Sequence, residues 1–192
     1  IMDLEESYVA ETLLGAAVVI GAYRLTKRSQ PKCTTELRGQ RFLVTGASSG
    51  IGLATVQELV RKGASSVTMT VRDISMAETL LNGLKKYRLN DNTNIEVLHL
   101  DLNDFKSIRT LVNNVKSAGA PLTCLINNAG VMMPWYESKN GVERTMLTNA
   151  LGPLYLTQLI KPHLRGLNGN PGRVIDVGSK LAKRSTIVNN VS

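Results

Sequence analysis

Cysteine, histidine and aromatic residues are scarce in this sequence, and each shortage removes a class of chemistry. The two cysteines, Cys33 and Cys124, form neither a disulfide framework nor a metal-ligand spacing. Cys124 lies in a short apolar run that reads as a buried strand, where it serves as a small hydrophobe. The two histidines, His99 and His163, carry no ligand or triad spacing and read as ordinary polar positions. Aromatic residues make up 4% of the chain and do not alternate with its cations, so nothing points to base stacking on a nucleic acid. No internal repeat or low-complexity tract is visible. The main glycine-rich turn is not followed by Gly-Lys-Ser/Thr, which excludes a P-loop.

What remains is one domain's worth of chain: 192 residues, with globular proportions of 43% hydrophobic and 20% charged residues. The net charge of +8 is concentrated near the start, at Arg24, Lys27, Arg28, Lys32, Arg38 and Arg41, opposed only by Glu36. Ahead of this cluster residues 8–23 are largely apolar, unbroken from Leu13 to Tyr23, which is shorter than the about 20 residues of a typical spanning helix. Asp3, Glu5, Glu6 and Glu11 precede the apolar run and the cations follow it. By the positive-inside rule this predicts an uncleaved membrane anchor with the following domain cytosolic; a targeting peptide and a soluble helix are the alternatives. The chain opens Ile1-Met2, so its first residue need not be the native start. The expected organisation is an apolar segment with basic flank over 1–28, a linker over 29–39, and a domain over 40–192.

That domain is organised around Phe42-Leu-Val-Thr-Gly-Ala-Ser-Ser-Gly-Ile-Gly52. A short apolar strand leads into Gly46, Gly50 and Gly52. A helix follows, predicted to share one face among Ile51, Ala54, Thr55, Leu59 and Val60, and to stop at Arg61-Lys62-Gly63. Strand, glycine turn and helix is the geometry that lays a pyrophosphate on a helix N-terminus. Strands over Ser66–Val71, Ile95–Leu100, Leu122–Ile126 and Arg173–Val177 then alternate with helices. The helices are expected over Ile74–Tyr87 (Met76, Leu80, Leu84 and Tyr87 in phase), Asn103–Ala118 (Ile108, Leu111, Val112 and Val115 on one side) and roughly Gly141–Leu164. Repeated βαβ units predict an α/β domain with a doubly wound parallel sheet of the Rossmann type and a ligand at the strand carboxyl ends.

Thr45-Gly-Ala-Ser-Ser-Gly-Ile-Gly52 and Asn127-Asn-Ala-Gly130 together resemble the short-chain dehydrogenase/reductase family, and the resemblance runs from Arg38 to Ser179. It implies a nicotinamide dinucleotide held by Gly46, Ser48, Ser49, Gly50, Ile51 and Gly52, with Asn128, Ala129 and Gly130 as a wall. Asp101 and Leu102, at the end of the third strand, take the place of residues beside the adenine; alone, Asp101 or Asn103 would read as a helix cap. NAD-preferring relatives place an acid where Val71 stands. Here Arg72 follows instead, suited to a 2′-phosphate, so NADP(H) is the expected cofactor. No metal is expected.

Asn149 matches the family's helix asparagine, which helps hold a water of a proton relay on its backbone carbonyl. Pro153, lacking an N–H, removes the normal helical partner of that carbonyl, or kinks the helix there. Ser179 matches the serine that hydrogen-bonds the substrate oxygen. Gly178 departs from the usual Val-Ser-Ser, and Asp176 is unusual for a strand flanked by buried sheet. The family's Tyr-x-x-x-Lys acid–base pair has no counterpart between Lys180 and Ser192; Tyr23…Lys27 is a coincidence outside the domain.

With the N-terminal segment, Val71-Arg-Asp73 and Asn127-Asn-Ala-Gly-Val-Met-Met133, the chain looks most like the family's retinol dehydrogenase-like branch. That implies an NADP(H)-dependent oxidoreductase interconverting an alcohol and a carbonyl on a small lipophilic substrate such as a retinoid. Membrane attachment through the N-terminal segment, in the endoplasmic reticulum or else a mitochondrial membrane, a homodimer, and no nucleic-acid partner belong to the same expectation. The rival is a catalytically inactive nucleotide-binding or interaction fragment lacking the Tyr/Lys pair. The sheet is expected to lack its C-terminal part, leaving an apolar edge exposed.

Overall fold

The structure is a computed structural model that describes residues 36–87, 93–139 and 141–179. The apolar run, most of its basic flank and residues 180–192 lie outside the described residues, and so does the expected anchor. Among the described residues no helix is long and apolar enough to cross a membrane.

Alternating apolar runs and returning helices build a parallel sheet. Its strands are β1 (Arg41–Val44), β2 (Ser66–Val71), β3 (Asn94–His99), β4 (Cys124–Asn127) and β5 (Arg173–Asp176), in the order β3-β2-β1-β4-β5. All four pairings are parallel. The inner strands are buried on both faces, which is why β2 reads as a continuous buried run rather than an alternation. Phe42 and Val44 point to one side, where α1 (Gly50–Arg61) and α2 (Ala77–Leu84) supply Val56, Leu59, Val60, Leu80 and Leu84. Leu43 points to the other, against Ile108, Leu111 and Val112 of α3 (Phe105–Ser117) and Leu156 and Ile160 of α4 (Gly152–Ile160). Each fully buried leucine or isoleucine contributes about 1.5–3 kcal/mol relative to exposure. A two-residue-per-strand hairpin, Ser138–Lys139 with Val142–Glu143, precedes α4.

Several expectations need correction. The buried face of α1 is Gly52, Val56, Leu59 and Val60, not the face through Ile51 and Ala54. Ile51 is 67% exposed because the first turn of α1 overhangs the strand ends instead of lying on the sheet. Met76 is exposed, since Ile74–Met76 forms a separate 3-10 turn before α2. Neither Asp101 nor Asn103 caps α3; Asp104 does, its side chain accepting from the Lys106 N–H at 2.8 Å. The long helix is composite: Arg144–Met146, a π-helical turn over Leu147–Leu151, then α4, with Pro153 in its first turn. Pro153 is thus accommodated by a widened turn around Asn149 rather than by a sharp break.

Asp176 also finds its explanation. Among the described strands β5 is an edge, and Asp176, Ile175 and Val177 are exposed, so the carboxylate needs no burial. Its Oδ1 accepts from Asn127 Nδ2 at 2.8 Å, and the same amide reaches Thr157 Oγ1 at 3.1 Å. Asn127 therefore ties β4 to both β5 and α4.

Candidate functional site

In the order β3-β2-β1-β4-β5 the connections leave β1 to one side and β4 to the other. A crevice must open at the carboxyl ends of these two strands. The structure has a cleft of about 340 Å³ there, lined by Gly46, Ser48, Ser49, Ile51 and Gly52 from the first turn. Thr70, Val71 and Arg72 come from the end of β2, Leu100, Asp101, Leu102 and Asn103 from the end of β3, and Asn128, Ala129, Gly130 and Val131 follow β4; Thr148 of the π-turn completes it.

The glycine turn is held by its neighbours. Thr45, buried at the end of β1, accepts the backbone N–H groups of Asn128 and Ala129 on its Oγ1, both at 3.0 Å. Asn128 Nδ2 donates back to the carbonyls of Thr45 (2.9 Å) and Gly46 (3.1 Å). The Ala47 N–H reaches Thr70 O at 3.0 Å, joining the turn to β2. Packing is close enough to demand two of the glycines. A Cβ on Gly46 would lie 2.8 Å from Ala129 Cα, and one on Gly52 would strike the Gly46 carbonyl and the Asn128 amide. Gly50 differs: its φ of +56° requires glycine, but it does not line the cleft.

Ser49 precedes α1 in extended conformation and its side chain makes no cap bond, so the first-turn N–H groups at the cleft have no side-chain acceptor. Thr70 Oγ1, also on the cleft wall, is buried without a hydrogen-bond partner. An uncapped helix start and an unsatisfied hydroxyl on one wall fit an anionic, polar ligand such as a dinucleotide. Arg72 is exposed at the rim. Asp73, the next residue, has its carboxylate accepting from the Ser75 N–H at 2.9 Å.

Asp101 is half-buried in the cleft wall. Burial pushes its carboxyl up, but the Asn103 backbone N–H and side-chain amide on Oδ1 and Lys139, 3.4 Å from Oδ2, outweigh burial and hold it below the usual carboxylate value. A carboxyl depressed in the folded state stabilises the protein above its unfolded pKa, and that stability is lost as pH falls through the folded value. The urea midpoint of the wild type is expected to exceed that of Asp101→Asn at pH 6. The gap should close on acidification below about pH 4. A constant gap from pH 6 to pH 3 would contradict this.

The two expected catalytic residues lie outside the cleft lining. Asn149 spends its whole amide on the Val131 backbone, accepting its N–H at 2.8 Å and donating to its carbonyl at 2.7 Å. Val131 is a cleft residue, so Asn149 shapes the wall from behind. Ser179 is exposed just beyond β5. Missed by sequence reading were Thr45, Thr70, Val71, Asn103, Val131 and Thr148. Thr148 Oγ1 lies 2.9 Å from Asn103 Oδ1, joining the π-turn to the end of β3.

A fold with this strand order and a glycine-lined cleft at its switch point defines a dinucleotide-binding α/β protein. The family model described as short chain dehydrogenase matches residues 40–191, and the chain belongs to that family, in likeness to its retinol dehydrogenases. It is 34% identical to Homo sapiens retinol dehydrogenase 13 over 169 residues, 88% of this chain and 49% of that protein. It is likewise 34% identical to Cucumis sativus chloroplastic protochlorophyllide reductase over 170 residues, 85% of this chain and 41% of that one. The chain thus spans about half the length, or less, of these curated relatives. A Burkholderia cenocepacia J2315 short chain dehydrogenase solved in complex with NADP superposes with a TM-score of 0.66 and 28% identity, covering 79% of this chain and 60% of that one. NADH-dependent reductase A1-R′ complexed with NAD gives 0.65 and 28%, over 78% and 63%.

Proposed function

We propose that the cleft holds NADP(H) and that the whole protein is an oxidoreductase interconverting an alcohol and a carbonyl on a small lipophilic substrate such as a retinoid. The observation that carries the cofactor reading is Arg72, exposed on the lining of a glycine-rich cleft, with no acid at the neighbouring Val71 position. The first-turn N–H groups of α1 would meet the pyrophosphate. Asp101 and Leu102 would border the adenine, and Ala129 and Gly130 would flank the cofactor along the wall. Arg72 would pair with the 2′-phosphate. When bound, the nicotinamide accepts or donates the hydride.

The chain's remaining roles follow from its own side chains. The Ser179 hydroxyl would hydrogen-bond the substrate oxygen and hold it for reaction. Asn149, its amide fixed on Val131, keeps only its backbone carbonyl for a relay water. Proton exchange with the substrate oxygen belongs to a Tyr-x-x-x-Lys pair that residues 180–192 do not contain. The catalytic reading therefore concerns the whole protein, and the binding reading concerns this chain. Likeness to retinol dehydrogenases supports a lipophilic substrate and residence at a membrane, that of the endoplasmic reticulum or else a mitochondrial one. The likeness to the protochlorophyllide reductase fits a bulky apolar substrate equally well. A homodimer completes the proposal.

Arg72→Ala is expected to weaken NADPH binding by about 10- to 100-fold, the worth of one charge-assisted pair, and to leave NADH binding unchanged. Calorimetric titration with both nucleotides measures this. An equal loss for both would show that Arg72 shapes the rim without reading the phosphate.

A further inference from the structure

In a parallel sheet every helix returns toward the strand amino ends, so all helix C-termini gather on the face opposite the cofactor cleft. Cations in last turns are stabilised there by the helix dipole. That accounts for Lys85, Lys86, Lys116 and Lys161, which end or follow α2, α3 and α4. It does not account for Arg165 and Arg173, which lead into strand pairings and are equally exposed. Among the described residues none of these six takes part in an ion pair. The acids on this face, Glu36 and Glu58, are already paired, with Arg38 and with Arg61. At the other end of the sheet Asp73, Asp101, Asp104, Glu137, Glu143 and Asp176 stand among Arg72, Lys106, Lys139 and Arg144, and Asp101 and Glu137 are paired with Lys139 and Arg144. Unpaired cations therefore concentrate at the strand amino ends, while charges of both signs are mixed at the carboxyl ends.

The basic face has relief as well as charge. A hollow of about 210 Å³ opens between the end of α3 and the loop after α4, lined by Lys116, His163 and Arg165. The chain also enters the domain here: the Leu37 N–H bonds Lys62 O and the Gly39 N–H bonds Ser65 Oγ, both at the foot of the sheet. In the sequence the entry point follows directly on Arg24, Lys27, Arg28 and Lys32 and the apolar run before them.

We infer that this face is a docking surface for an anionic phospholipid bilayer. Cations near a negatively charged leaflet are attracted within a Debye length of it, and several on one face orient a domain as well as hold it. The sequence leading to Leu37 at this face is basic and follows an apolar run, which favours a bilayer over an acidic protein. The cleft would then open away from the headgroups beneath the domain. The inference rests on the proposed membrane residence and is independent of the cofactor.

The test is a lysine-acetylation footprint read by mass spectrometry on the whole 192-residue chain. It is run free, with phosphatidylcholine vesicles, and with vesicles containing about 30% phosphatidylserine. Lys85, Lys86, Lys116 and Lys161 are expected to lose reactivity severalfold on the phosphatidylserine vesicles alone. Lys106 and Lys139, on the cleft side, are expected to be unchanged. Raising salt to about 0.5 M should remove the protection. Attachment to both vesicle types with the four lysines unprotected, or with all lysines protected alike, would overturn the docking face while leaving membrane residence standing. Failure to attach to either vesicle would overturn both.

Discussion

Replacing Gly46 by alanine is expected to weaken NADPH binding by about 100-fold or more and to destabilise the domain. Two costs coincide at this residue. Its φ of +63° lies in the left-handed region, where a side chain costs about 1–2 kcal/mol. The added Cβ would also sit 2.8 Å from Ala129 Cα, against backbone that cannot swing aside, and forced overpacking costs about 1–3 kcal/mol more. The turn can relieve the contact only by moving away from the β4 end, which breaks the Asn128 bond to the Gly46 carbonyl. Because that turn aims the first N–H groups of α1, binding should fall by about 100-fold or more, equivalent to roughly 2.7 kcal/mol. Gly63→Ala is the control. It has a similar φ of +74°, but nothing lies within 4 Å of its Cβ and it is remote from the cleft. It should lose stability and keep NADPH affinity. Equal affinities in both variants would show that the Gly46 turn does not position the ligand.

Thr45→Val is expected to unfold the protein at a urea concentration well below that of the wild type. Valine keeps the shape and the burial but removes the oxygen that accepts two N–H groups. An orphaned donor costs about 1–3 kcal/mol when fully buried; both of these are only partly buried, so a loss of about 2–4 kcal/mol follows. Serine keeps the oxygen and should recover most of it. A threonine that merely filled space would give the reverse order, with valine close to wild type and serine the weaker variant.

Thr45 also marks where sequence reading stopped. It is the first residue of the fingerprint, yet its partners lie more than 80 positions away across the β1–β4 junction, and no local pattern signals a three-way contact of that kind. The glycines were legible for the opposite reason: a turn that reverses direction within a few residues has to be written locally. The strands were legible too, because the inner strands of this parallel sheet are short runs rich in β-branched and apolar residues, such as Ser66–Val71. Helix phase was less secure. Ile51 looks like a core residue by spacing, but the first turn of α1 projects past the sheet toward the cleft, and only the tertiary placement reveals this. The cap of α3 is Asp104 because the helix starts at Phe105, and Asp101, four residues earlier, is engaged by Asn103 and by Lys139 of the Ser138–Lys139 hairpin. Asn149 was found by its motif, but its grip on the Val131 backbone was not written in the helix that carries it.

The most direct test of the central claim, that this cleft is a nicotinamide-dinucleotide site selective for the 2′-phosphate, is calorimetric titration of the 192-residue chain with NADPH and with NADH under the same conditions. The account predicts one-site binding of NADPH, tighter than that of NADH by about 10-fold or more, the worth of the Arg72 pair. Binding of neither nucleotide, by a chain whose cooperative urea transition shows it folded, would contradict it.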